Sequence, residues 1–260
     1  MENAEVAAYL DRIEARRPDE VDFDALRHLQ QRHLESIPFE TFGFQFKEPI
    51  GLGEAVLDKV VHGRRGGAGA ELNSLFASLL RELGFKVSLL GARVVGGDGR
   101  LGPLNGHLVL KVDHHEPWLV DVGYWFAARK PLRLDLRHTQ SDFEGEFQVI
   151  DAPDGDVDVL RDGNPLYRVE VRERSLTDFE APLWWLRTAP DSPLDSALWA
   201  SIATPAGRIK LKGRVLTRIE QGKRTIEVLE DDEFLDEVRK SFGIELDRLP
   251  ELPGRDPVLN

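Results

Sequence analysis

The 260-residue chain has no cysteine. That single absence excludes disulfides, thiolate zinc sites, iron–sulfur clusters and a catalytic thiol together. No apolar run approaches the roughly 18 residues of a membrane span. The N-terminus, Met1-Glu2-Asn3-Ala4-Glu5, is charged from its second residue, unlike a secretory signal. The default location is therefore the cytoplasm, with no membrane partner. Basic residues are in deficit: 34 Lys and Arg stand against 46 Asp and Glu, a formal net charge of −12. A surface this acidic repels phosphate backbones, so nucleic acid is not an expected partner. What is present is a normal supply of core material, with 41% hydrophobic and 31% charged residues. At this length that suffices for one large domain or a few small packed layers.

The chain shows no internal repeat. Its first third reads helical. Val6, Leu10 and Ile13 recur at helical spacing, followed by Leu26, Leu29 and Leu34 within Asp24–Ser36. Ile37-Pro38 stops that second helix, because a residue before proline is pushed out of the α region. The clearest helix spans Ala70–Leu83. Leu72, Leu75, Phe76, Leu79, Leu80 and Leu83 form one apolar stripe, and Gly84 stands where a left-handed cap belongs. After Gly84 the pattern changes to β-branched apolar runs bounded by turn residues. Phe85–Val95, Gly106–Asp113, Trp118–Tyr124, Phe143–Ile150, Pro165–Arg172 and Arg208–Ile219 read as strands of a mostly antiparallel sheet or barrel. An amphipathic helix, Asp232–Phe242, closes the chain before Gly243. Helices, then strands, then a mixed end make an α+β fold, because the strand–helix alternation of a parallel sheet is missing.

Two of these strands are separated only by His114-His115-Glu116 and should form a hairpin. A turn centred on His114 puts His107 opposite Asp121. A turn centred on His115 puts His107 opposite Gly123 and Asp121 opposite Val109. In either register the two residues share a face, at most as diagonal neighbours about 7–8 Å apart. An aspartate within an apolar strand is costly to bury unpaired, and His107 is its nearest candidate partner. A histidine oriented by a carboxylate is the base half of a nucleophilic triad. The same pair can also serve as a structural hydrogen bond that pins the hairpin.

Five stretches, in order, resemble the arylamine N-acetyltransferases and the related amide synthases and cyclases of natural-product pathways. Ile37-Pro38-Phe39-Glu40 is similar to an IPFEN element, and Arg65-Gly66-Gly67-Ala68-Gly69-Ala70-Glu71-Leu72-Asn73 to an RGGxCxELN signature. Gly106-His107 with Leu119-Val120-Asp121-Val122-Gly123 is similar to the stretches that hold that family's catalytic histidine and aspartate. Thr188-Ala189-Pro190-Asp191-Ser192 and Phe242-Gly243-Ile244 also match. The resemblance implies a cysteine-proteinase-like core built as an N-terminal helical bundle (residues 1–84), a central antiparallel β-barrel (85–185) and a C-terminal α/β lid (186–260).

It further implies a cysteine at the start of the long helix, attacking an acyl thioester with a thiol whose pKa is depressed by the helix dipole and the histidine. This chain has Gly69 there, between Ala68 and Ala70, so a thiol-bound acyl-enzyme is excluded. What remains is the helix N-terminus, whose free N–H groups suit an oxyanion or a carboxylate, and His107 as a general base. The expected activity is a cysteine-independent acyltransferase or cyclase. A small-molecule amine or other acceptor attacks a coenzyme A or carrier-protein thioester directly, with His107 and Asp121 as the base pair. Ala68, Ala70 and Tyr124 are the expected substrate contacts, and no tightly bound cofactor or metal is expected. The rival expectation is a catalytically dead relative that binds a ligand or partner protein in the old pocket.

Other residues carry less. Because both lie in matched motifs, the resemblance implies a structural Arg65–Glu40 ion pair before the helix. Asn73 and Glu71, in its first turn, either cap it or face the pocket. His114-His115-Glu116 lacks metal-ligand spacing and reads as a solvated turn. Gly66–Gly69 has neither the strand before it nor the Lys-Ser/Thr after it that a phosphate loop needs. Trp184-Trp185 reads as an apolar strand pair, with an aromatic pocket wall as the alternative.

Overall fold

The fold is described by a computed structural model over residues 1–189, 192, 194 and 198–250. Its first layer is helical. Helix α1 (Asn3–Arg12) is followed by α2 (Phe23–Ser36), which starts where the Asp22 carboxylate accepts Ala25 N–H at 2.8 Å. It ends at extended Ile37, as the following proline requires. A two-residue strand β1 (Phe39–Glu40), the short α3 (Phe42–Gln45), a 3₁₀ turn over Gly53–Val56 and a π-helical turn over Asp58–His62 lead to α4 (Gly69–Glu82). The α4 stripe of Leu72, Leu75, Phe76, Leu79 and Leu80 is fully buried, and Gly84 takes the left-handed φ of +97° that ends the helix.

Eight antiparallel strands follow. These are β2 (Lys86–Val94), β3 (His107–His114), β4 (Glu116–Val120), β5 (Leu132–Arg133), β6 (Gln140–Asp142), β7 (Gly145–Asp151), β8 (Val157–Arg161) and β9 (Asn164–Arg174), in the order β5-β4-β3-β2-β9-β8-β7-β6. The sheet curls until its edges approach. The Gln140 side chain bridges the seam, accepting Arg133 N–H at 2.7 Å and donating to Arg133 O at 3.0 Å. One face of β3 sends Leu108, Leu110 and Val112 into the helical core. The other sends Val109 into the barrel interior beside Leu119, Phe147, Val159 and Val169. After α5 (Glu180–Thr188), strands β10 (Trp199–Thr204), β11 (Gly207–Lys212), β12 (Val215–Glu220) and β13 (Lys223–Val228) form a second antiparallel sheet in the order β1-β10-β11-β12-β13. Helix α6 (Asp231–Phe242) packs Phe234, Val238 and Phe242 on it and stops at Gly243, φ +67°. Because β1 pairs with β10, the N-terminal segment is part of the C-terminal sheet, and α5 runs across residue 185.

The α+β layout and the barrel agree with the sequence. Four local readings do not. Trp184 and Trp185 lie on helix α5 and not on a strand: Phe179, Leu183 and Leu186 supply the helical apolar stripe, while Trp184 is largely exposed. Arg208–Ile219 is two strands folded at Gly213, not one. Phe143 lies in the turn before β7 and is exposed. Trp118–Tyr124 leaves the ladder after Val120, because Val122 and Gly123 turn back onto α4. Of the Thr188–Ser192 motif, Pro190 and Asp191 lie outside the described residues, as do residues 251–260 of the expected lid.

One buried group ties this packing to pH. The His33 ring is fully enclosed, edge-on to Phe76 at 5.0 Å, with Nδ1 3.0 Å from the Tyr9 hydroxyl. Burial, then the nearby Arg12 guanidinium, lowers its pKa to about 3. The unfolded chain takes up a proton near pH 6.5 that the folded chain refuses, so stability falls with pH from about 6.5 towards 3. Between pH 7 and 4.5 this group removes roughly 2–3 kcal/mol. Urea unfolding at both pH values should show a smaller acid loss for His33→Gln. An equal loss in the two proteins refutes the assignment.

Candidate active site

The hairpin turn centres on His115, φ +55°, and pairs His114 with Glu116, Lys111 with Leu119 and Leu110 with Val120. The ladder ends at Leu110 and Val120; counted onward, this register brings Asp121 level with Val109, and the chain turns there so that the His107 and Asp121 side chains meet. His107 Nε2 lies 2.8 Å from Asp121 Oδ2, and both residues are buried. Asp121 Oδ1 accepts the Asn73 amide at 2.8 Å and Gly123 N–H at 2.9 Å. Burial alone would raise the Asp121 pKa. The imidazole, the Asn73 amide and Gly123 N–H outweigh burial and hold it below its ordinary value. The carboxylate here accepts a proton held on Nε2, and in that tautomer Nδ1 carries the free lone pair.

Asn73 is the link between layers. From the first turns of α4 its amide donates to Leu108 O at 2.7 Å and to Asp121, while its oxygen accepts Val122 N–H at 2.8 Å. It therefore faces the site. Glu71 is the cap, accepting Ala68 N–H at 3.0 Å and pairing with Lys59 at 2.9 Å. The expected Arg65–Glu40 pair is present, with Arg65 Nη2 2.8 Å from a fully buried Glu40 carboxylate that also accepts Phe42 N–H at 2.6 Å. Glu48 binds the other side of the guanidinium at 3.2 Å. A β-carbon on Gly66 would run into Pro38 O, so only glycine lets this loop pass β1. Arg65→Met should cost about 3–5 kcal/mol in chemical denaturation, because it strands the Glu40 charge in the interior. A cost near 0.5 kcal/mol would mark the pair as a solvated one.

Gly69 opens α4. The helix start, expected to offer its free N–H groups to a ligand, is crowded at this position. A β-carbon on Gly69 would lie 2.8 Å from Gly123 O, 2.9 Å from His107 Nδ1 and 3.0 Å from His107 Cε1. The imidazole and the Gly123 carbonyl thus occupy the space a side chain would need. Nδ1 is turned to the start of α4. The methyls of Ala68 and Ala70 are buried in the helical core, so these residues can offer a ligand only backbone. Tyr124 is half-buried, its ring centroid 5.7 Å from that of His107. Burial and Asp121 push its hydroxyl up to about 12.

Tyr167 is a neighbour that sequence reasoning missed. Its ring lies 5.4 Å from His107 and 5.2 Å from Tyr124. Its signal was the alternation of β9, which points Tyr167 and Val169 inward together. Beneath Asp121, Tyr124 and Tyr167 a cavity of about 10 Å³ reaches Gln30, room for one water. Trp125 and Phe126 were also missed, and they extend the aromatic wall outward from Tyr124. Among the described residues no three His, Cys, Asp or Glu side chains converge to hold a metal ion, and no helix is long and apolar enough to cross a membrane.

Comparison with known proteins places this geometry. A family model described as N-acetyltransferase matches residues 22–250. The arylamine N-acetyltransferase of Mycobacterium tuberculosis is 30% identical, with 97% of each chain covered. The structure of the Mycobacterium marinum arylamine N-acetyltransferase in complex with CoA aligns with a TM-score of 0.85 at 30% identity, covering 92% of each chain. That of the Salmonella typhimurium enzyme aligns at 0.88 and 26% identity, covering 98% of this chain and 96% of its own. The chain therefore belongs to the arylamine N-acetyltransferase family, as a member with no cysteine and with glycine at the head of α4.

Proposed function

We propose that this protein transfers an acyl group from a thioester to a small-molecule amine in a single displacement, with His107 as general base and Asp121 and Asn73 as its positioning residues. One observation carries the reading. The carboxylate–imidazole–amide network is complete, and Nδ1 is turned to the helix start although no nucleophile stands there. The amine nitrogen attacks the thioester carbonyl, forming N–C as C–S breaks. His107 Nδ1 takes the amine proton and returns it to the departing thiolate. The first-turn N–H groups of α4 suit the oxyanion. A CoA complex of a relative supports coenzyme A as the thiol carrier. A carrier-protein thioester presents the same reacting group, and an amine on the acyl chain itself would give a cyclic amide. The location remains the cytoplasm expected from the sequence.

A second reading is favoured by the crowding at Gly69, where the imidazole packs against the helix. On that reading the fold binds a ligand without turnover. Acyl thioesters incubated with an amine library separate the two. Thiol release with no acyl adduct by intact-mass spectrometry supports direct transfer. A melting shift without thiol release supports binding alone.

A further inference from the structure

Strand β11 reads Gly207-Arg208-Ile209-Lys210-Leu211-Lys212, and its alternation sends three cations to one face. Leu211 goes the other way, into the α6 core. The cationic face meets the aromatic wall beyond Tyr124. Lys210 Nζ sits 4.4 Å from the Phe126 ring centroid and 5.8 Å from that of Trp125, and Lys212 Nζ sits 4.9 Å from that of Trp199. From β8, Arg161 reaches the same Phe126 ring at 5.5 Å. From β13, Arg224 lies in the strand row that runs through Ile219 to Arg208.

The carboxylates nearby are already engaged. Glu144 is held by Arg129 at 2.9 Å and Arg208 at 3.1 Å, and Asp162 lies 3.5 Å from Arg161. Among the described residues none of Lys210, Lys212 and Arg224 has an ion-pair partner. In a chain of net charge −12 this is a local excess of positive charge against apolar rings. Burial, then Arg208, Arg161 and Arg224, lowers the Lys210 amine to about 8 despite Glu144. An anion placed among these cations would relieve that repulsion.

We propose that Lys210 and Arg161 at the Phe126 ring, with Arg224 on the same sheet face as Lys210, form a phosphate-binding site on the rim of the candidate active site. Phosphate fits better than carboxylate: cations from β8 and β11 meet at one ring with a third on the same sheet face, and a dianion with three free oxygens can satisfy several of them at once. The ring sequence His107, Tyr124, Phe126 places the site beside the base, with Tyr124 and Phe126 6.4 Å apart. The proposed acyl transfer enters only in naming the molecule that carries the phosphate.

The test is calorimetric titration of the full chain with inorganic pyrophosphate at low salt. The wild type should bind, and raising sodium chloride to about 0.3 M should weaken binding, as screening requires. Lys210→Met should raise the Kd roughly tenfold or more, the loss expected for one charge-assisted contact. Lys240→Met, on the outer face of α6, should change nothing. Should Lys210→Met fold poorly, exposed Arg224→Gln is expected to weaken binding severalfold. No binding at millimolar pyrophosphate, or equal affinity in wild type and both rim variants, overturns the site. Coenzyme A should compete with pyrophosphate, whereas pantetheine, which lacks phosphate, should not. If coenzyme A and pyrophosphate bind together, the site stands and takes its phosphate from another molecule. Absence of thiol release would defeat the acyl-transfer reading and leave this binding result untouched.

Discussion

Replacing His107 by alanine is expected to lower thioester-to-amine turnover by roughly 10²–10⁴-fold, the range for loss of a positioned base. The argument is geometric. His107 Nε2 is committed to Asp121 at 2.8 Å, which leaves Nδ1 as the acceptor, and Nδ1 faces the first turn of α4. Asp121 keeps its bonds to Asn73 and Gly123 in the variant, so the hairpin retains two of its three ties at this carboxylate. Added imidazole should restore part of the activity, which a collapsed fold would not permit. Rates of thiol release, with circular dichroism as the folding control, check this. Turnover within twofold of wild type removes His107 from the chemistry and returns it to the role of a hairpin clamp.

Replacing Gly69 by cysteine should have the largest qualitative effect: a covalent acyl adduct where the natural chain can form none. The new β-carbon must push back His107 and Gly123 O from 2.9 and 2.8 Å, so the variant should lose about 1–3 kcal/mol of stability. The backbone raises no objection, since Gly69 lies outside the positive-φ region. Once accommodated, the thiol sits at a helix N-terminus beside an imidazole, both of which favour thiolate. Incubation with an acyl thioester should add one acyl mass, and an amine should then remove it. Gly69→Ala should lose similar stability and form no adduct. A Gly69→Cys protein that stays unacylated, with ordinary thiol reactivity, means that the imidazole has closed over the position. The ligand-binding reading would then prevail.

The legible parts of the fold were those with strong periodicity. The α4 stripe and Gly84 announced their helix, and the spacing of two strands around His115 placed His107 beside Asp121 in either register. Trp184-Trp185 misled because tryptophan favours strands. Burial of Phe179, Leu183 and Leu186 against the core overrode that preference. The run Arg208–Ile219 hid a turn because Lys212-Gly213-Arg214 looks like a polar interruption, and only pairing across Leu211 and Leu216 reveals the hairpin. Tyr167 could not be placed at the site from sequence, since 60 residues separate it from His107 and only closure of the barrel brings them together.

The sequence by itself determined the α+β class, the loss of the thiol and the companionship of His107 and Asp121. Those follow from composition and from short-range spacing, which local geometry converts directly into structure. Tertiary structure decided the rest. It chose Asn73, on α4, as the clamp on Asp121. It also filled the space beside Gly69 and gathered Arg161 and Lys210 around one ring. These are contacts between elements distant along the chain, set by how layers close on one another, and no local pattern encodes them.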